Sequence, residues 1–170
     1  MTKFICLFLF FIVMPVFADS ANDESFNKML ENQAMVDNFA WESAKPFDDK
    51  DIVQIRKYGN VVNEEIEHFK TPYGDDATDH KIEFNGVYLE GFYIPKQKRF
   101  FLKYLKITTP NYPIANSLII GSNAEMISKV MKHNGTKKLR AITYQGETEK
   151  VVFVVDNGKI VRIDFFYYTG

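Results

Sequence analysis

Two Asn-Gly pairs, Asn85-Gly86 and Asn157-Gly158, each lie between stretches of alternating apolar and polar residues. Both residues of such a pair tolerate positive φ, so each pair reads as the two-residue turn of a β-hairpin, the strongest short-range constraint on this fold. Pairing about the first turn sets Ile82 opposite Leu89 and Lys81 opposite Glu90. A further turn over Pro95 to Lys98 lets Glu90 face Lys103. One sheet face then carries Ile82, Phe84, Val87, Leu89, Tyr93, Phe100, Leu102 and Tyr104; the other carries Tyr88, Phe92, Ile94, Phe101 and Leu105 among charges. Pairing about Asn157-Gly158 places Val152, Val154, Val161, Ile163 and Phe165 on one side. Phe153, Arg162, Asp164, Phe166 and Tyr168 fall on the other.

Elsewhere the period is helical. Phe26, Met29, Leu30, Met35, Val36 and Phe39 recur at helical spacing as far as Trp41, before Pro46 interrupts. Ile52, Val53 and Ile55 predict a second short helix stopped at Tyr58-Gly59. Residues 61–70 (VVNEEIEHFK) read as another short helix, and 71–80 as a loop. Ser122 and Glu125 have the capping-box spacing ahead of an apolar stripe of Met126, Ile127, Val130 and Met131, with Asn134-Gly135 as the stop. The expected class is α+β: N-terminal helices plus an antiparallel meander sheet, in one domain over 19–170. Candidate sub-units are 24–110 and 111–170, each helical segments followed by three strands. The echo between NGVYLEGFY and NGKIVRIDFFYY hints at duplication of the two halves.

Residues 1–18 read as an export signal. Lys3 precedes the apolar run Phe4 to Met14, and Val16-Phe17-Ala18 suits cleavage near Ala18, ahead of a polar leader over 19–24. The run is short of the roughly 20 apolar residues of a membrane span, so no span is expected after processing, and the address is the periplasm or the exterior. Cys6 is the sole cysteine, so the exported chain has no disulfide, thiolate nucleophile or cysteine ligand. With 21 basic and 22 acidic side chains and no basic stripe, nucleic acid and anionic membrane surfaces are poor partners.

The stretch LIIGSNAEMISKVM (118–131), followed by strands ending in VVFVVDNGKIVRIDFFYY, resembles the small α/β repeat of the SmpA/OmlA envelope lipoproteins and of beta-lactamase inhibitory proteins. The shared pattern is a glycine, a capped helix and an antiparallel meander with a glycine-containing turn near its end, over Leu118 to Tyr168. The chain lacks the lipidation cysteine of the first group and the disulfides of the second. The resemblance implies a non-catalytic scaffold that grips other proteins with a sheet face.

No residue pattern points to a cofactor, a metal or a catalytic set. Gly121-Ser122 lacks the glycines and Lys-Ser/Thr of a phosphate loop and the G-x-S-x-G turn of a serine nucleophile. His68, His80 and His133 are scattered, and Asp75, Asp76, Asp79 and His80 fit no calcium-loop spacing. Ser25 and Lys28 match a bare Ser-x-x-Lys without companion motifs. The aromatic surplus says more: Phe, Tyr and Trp make up 15% of the chain, more than one helical layer covers. Tyr88, Phe92, Phe101, Phe153, Phe166 and Tyr168, with Arg162, form the expected partner-binding face, since aromatic and arginine clusters make binding hot spots. The expectation is an exported binding protein that inhibits or neutralises another envelope or secreted protein, as an immunity protein or hydrolase inhibitor does. An envelope assembly factor, and a carboxylate or metal-dependent enzyme at Asp75 to His80, are the alternatives.

Overall fold

A computed structural model describes residues 20–168. The expected signal segment and its cleavage site lie outside these residues. The order of elements is α1 (Ser20–Ala44), α2 (Ile52–Arg56), β1 (Val61–Lys70), β2 (Asp76–Phe84), β3 (Val87–Ile94), β4 (Arg99–Ile107), α3 (Glu125–Met131), β5 (Thr136–Lys138), β6 (Ala141–Gln145), β7 (Lys150–Asp156) and β8 (Lys159–Phe166), with a 3-10 turn at Ala115–Ser117. The α+β class holds, with the sheet dominant. All eight strands form one antiparallel sheet in the order β1-β2-β3-β4-β8-β7-β6-β5. Two consecutive meanders of four strands, rather than three, meet edge to edge where β4 pairs with β8. The two Asn-Gly turns occupy different places in them: the first closes the middle hairpin of its meander, the second the last hairpin.

The helices cover one face. Val36, Phe39, Ala40 and Ala44 of α1 recur every three or four residues and are buried, so a single stripe docks on the second meander. Phe39 lies 5.9 Å from Phe165 and 6.1 Å from Phe153. Phe47, just after α1, stacks on Phe84 and Tyr112 over the first meander, beside Ile52 and Ile55 of α2. Each fully buried ring of this kind is worth about 2–3 kcal/mol in apolar burial. Buried hydroxyls tie the end of α1 down: Tyr167 donates to Ala40 O (3.0 Å), Tyr112 to Ser43 O (2.5 Å) and Ser43 to Phe39 O (2.9 Å). The expected loose leader is helical from Ser20. Phe26, Met29 and Leu30, expected to belong to the packed stripe, are exposed.

Three local expectations are overturned. Residues 61–70 form edge strand β1, paired to β2 from Val61↔Phe84 to Lys70↔Asp76. The capping box at Ser122 does not form: α3 begins at Glu125, whose N–H donates to Asn123 Oδ1 (3.1 Å), while Ser122 O accepts from Ile160 N (2.9 Å). The backbone at 121–123 is drawn into pairing with the start of β8, which places Ser122 outside the cap position. A capping box does close α2, where Asp51 accepts from Val53 N and Gln54 reaches back to Asp51 N. Finally, two bulges alter the sheet faces. One lies between Glu90 and Gly91, where Glu90 pairs with Tyr104 and Gly91 with Leu102, leaving Lys103 as the extra residue. The other sets Val154 opposite Arg162 and Val155 opposite Ile160, leaving Val161 extra. Each reverses the inside-outside sense of the strand beyond it.

The β6–β7 turn pairs its buried Glu149 with the half-buried Asp37 of α1. Asp37 accepts from Glu147 N (3.1 Å) and Glu149 N (3.0 Å), and Glu149 is 1% exposed. Burial, and then hydrogen bonding and repulsion from Asp37, push the Glu149 carboxyl above its ordinary 4.5 against the opposing pull of the Thr148 hydroxyl. The folded protein therefore holds this proton more tightly than the unfolded chain. The resulting stability is complete below pH 4.5 and is lost as pH rises through the folded pKa. Glu149→Gln, neutral at every pH, is expected to melt higher than the wild type above that point, with the gap widening toward neutrality. Thermal unfolding of both proteins from pH 4 to 8 measures it, and a constant gap would contradict the assignment.

Candidate functional site

The sheet face that α1, α2 and α3 leave open carries a band of rings across β3, β4 and β8. Strand alternation sends Tyr88, Glu90 and Phe92 to this face from β3, and the Glu90/Gly91 bulge brings both Phe101 and Tyr104 to it from β4. Phe92 stacks on Phe101 with centroids 4.7 Å apart and planes at 10°. Tyr104 stands between Tyr88 (6.0 Å) and Phe166 (5.1 Å). Phe69 of β1 meets Phe92 edge-on at 6.3 Å and extends the band to the sheet edge. Such pairs are worth about 0.5–1.5 kcal/mol each beyond their burial, so the rings hold one another in place without a helix above them.

Cations are laid over the rings. Arg99 is 4.5 Å from the Phe101 centroid, Lys103 5.3 Å from Phe92, Lys106 4.7 Å from Tyr88 and Lys150 4.1 Å from Phe166. Lys103 is also paired with Asp79 (2.6 Å), and Arg162 with Asp164 (2.9 Å). Asp164 is nearly buried and accepts from the Tyr104 hydroxyl (2.7 Å); Glu90 accepts from Tyr88 (2.6 Å). Burial, then these carboxylate acceptors, push both phenols above the ordinary tyrosine range, so both remain donors. Among the described residues, Lys106 and Lys150 have no ion-pair partner.

No family model, curated protein or solved structure matches this chain.

Of the seven residues expected on the partner-binding face, Tyr88, Phe92, Phe101, Arg162 and Phe166 share the open face. Tyr168 is 71% exposed, just beyond the end of β8. Phe153 is a correction: it is fully buried on the helix side, because the extra residue at Val161 sets it opposite Ile163. Val152 and Val154 take its place on the open face. Tyr104 and Leu105 exchange places because Lys103 is the extra residue of β4: Tyr104 joins the open band, and Leu105 is fully buried. Sequence reasoning also missed Phe69, hidden in a segment read as a helix.

The acidic stretch disperses. Asp75 pairs with Lys96, Asp76 with Lys70 and Asp79 with Lys103, while His80 turns to the covered face. Among the described residues, no group of three or more His, Cys, Asp and Glu side chains is arranged to hold a metal ion. His80 instead sits in a relay, with Nε2 2.8 Å from Thr78 Oγ1 and Nδ1 2.9 Å from Glu64 Oε1. Glu64 also accepts from Arg56 Nη2 at 2.8 Å. Burial works to raise the Glu64 carboxyl, but hydrogen bonds and charge from Arg56 and His80 outweigh it and hold it below the ordinary value. The distances are those of a nucleophile relay, but β2 is paired with β1 and β3 on both sides, so its backbone offers no oxyanion donors. The group acts as a tie between α2, β1 and β2. Ser25 and Lys28 line a cavity between α1 and the β5–β6 hairpin together with His133, whose Nδ1 is 2.5 Å from Met131 O.

Proposed function

We propose that the protein is a non-catalytic binding module whose open sheet face occludes a site on a partner protein. The observation that carries this reading is the ring band itself. Tyr88, Tyr104 and Phe166 stand side by side with Phe92 and Phe101 on the face free of helices, each of four of them with a cation over it. Pre-ordered rings lose little conformational freedom on contact, and aromatic residues with arginine are the side chains that dominate interface energies. Inhibition would be steric, of the immunity or hydrolase-inhibitor type, and the address would be the envelope or the exterior, after removal of residues 1–18. The resemblance of residues 118–168 to small envelope and inhibitor repeats supports the same reading, as does the division of the sheet into two meanders of equal strand number. The two halves would then be related units.

The test replaces Phe92, Phe101 and Phe166 with serine together. These rings are not in the helix-side core, so the variant should keep its fold by circular dichroism. Loss of three central rings is expected to weaken partner capture from envelope extracts at least about a hundredfold, since hot-spot truncations cost about 2 kcal/mol or more each. Hydrogen exchange on the wild-type complex should slow in β3, β4 and β8. Undiminished capture by the folded variant would refute the open face as the binding surface.

A further inference from the structure

The strand β1 is the longest in the sheet, ten residues, and has a neighbour on one side alone. It contains no proline, and its one irregularity lies at its start, between Val61 and Asn63. The opposite edge, β5, has three residues. An edge of this length presents a row of backbone donors and acceptors that an extended chain can pair with. Exposed apolar side chains accompany it: Val62 is 68% exposed and Ile66 44%.

Charge decides what pairs there. Glu65 and Glu67 lie on the open face, opposite Lys81 and Asp79 of β2. Lys81 is held by Glu65 at 3.3 Å and Lys103 by Asp79 at 2.6 Å, while Glu67 has no ion-pair partner among the described residues. A cavity of about 140 Å³ opens beside these side chains, with Glu90 and Gly91 at its far wall. A second copy of the chain is disfavoured, because antiparallel pairing of β1 with itself near its middle sets Glu64 opposite Glu67, Glu65 opposite Glu65 or Glu65 opposite Glu67. Like charges directly opposite one another destabilise a sheet. An incoming strand with lysine or arginine at every second position meets Glu65 and Glu67 with opposite charge, and its alternate apolar residues meet Ile66 on the other side.

We propose that β1 is a docking edge that accepts an extended segment of another protein, basic on one face and apolar on the other, as a ninth strand. The edge adjoins the ring band at Phe69, but strand addition runs through backbone groups of β1, so the proposal does not rest on the band as a binding surface.

The probe is a synthetic ten-residue peptide of alternating lysine and valine with blocked ends, added to the isotopically labelled protein. Two controls are its glutamate-valine counterpart and the lysine-valine peptide methylated on alternate backbone nitrogens. Amide exchange is expected to slow about tenfold or more at alternate residues of 61–70 and to stay unchanged at Thr136–Lys138. Neither control should protect β1. The doubly reversed variant, Glu65→Lys with Glu67→Lys, should switch preference to the glutamate peptide; both positions are exposed, so the fold should survive. Unchanged exchange in β1 at saturating peptide would overturn the proposal. So would equal protection by the glutamate or methylated peptide, or a dimer formed through β1 without any peptide.

Discussion

Phe153→Ala is expected to cost about 3–5 kcal/mol of folding stability while leaving the chemistry of the open face unchanged. The ring is fully buried between Phe39 of α1 at 6.1 Å and Tyr144 of β6 at 5.8 Å, and Ile163 lies across the strand pair. Truncation removes the apolar burial of a whole ring and leaves a cavity at the contact between α1 and the second meander, which backbone-paired strands cannot close. For a chain of this size the midpoint of thermal unfolding should fall by roughly 10 °C. Phe166→Ala, one strand away on the opposite face, serves as the contrast: its ring is 37% exposed, and the loss should stay near 1 kcal/mol. Denaturant unfolding of the two variants separates the faces directly. Equal losses would mean that the register of β7 against β8 is not the one described.

Gly91→Ala is expected to destabilise by about 3 kcal/mol, although it adds a single methyl group. Gly91 lies across from the bulge in β4, with His80 and Leu102 across the strands on either side. A Cβ there would be driven into the Phe101 carbonyl oxygen and would lie 2.5 Å from the Phe100 ring. Phe100 is itself fully buried and meets His80 edge-on at 6.3 Å, so the ring has nowhere to retreat. Strand and ring must both shift, and the register that brings Phe101 and Tyr104 to one face is strained with them. Unfolding midpoints and amide shifts in β3 and β4 measure the effect. A variant as stable as the wild type, with unshifted amides at Phe100 to Tyr104, would show that the close approach does not exist.

Much of the sheet was legible locally. Pairing about Asn85-Gly86 gave Ile82↔Leu89 and Lys81↔Glu90 correctly, because no bulge lies between those residues and their turn. At the second pair, both Asn157 (φ 47°) and Gly158 (φ 73°) adopt the left-handed conformation that such a turn requires. The predictions failed one step beyond each bulge. Lys103 and Val161 are ordinary strand residues by composition, and nothing local marks either as the unpaired one. The misreading of 61–70 has a different origin. An edge strand with no helix above most of its length has little apolar alternation to display, so VVNEEIEHFK carries no period of two. The cap at Ser122 failed because a partner distant in sequence, Ile160, claimed its backbone.

The sequence by itself determined that hairpins form at two Asn-Gly turns, that helices precede the strands and that more rings exist than one covered face can hold. Those are consequences of local dihedral preference and of composition. The tertiary structure alone decided which rings are covered, through the bulges at Lys103 and Val161 and through the join of β4 to β8, where Leu105 meets Phe165 and Ile107 meets Ile163 across about sixty residues of chain. That pairing is favoured because it buries both apolar rows under α1 and α2 at once, a gain that neither strand's own sequence records.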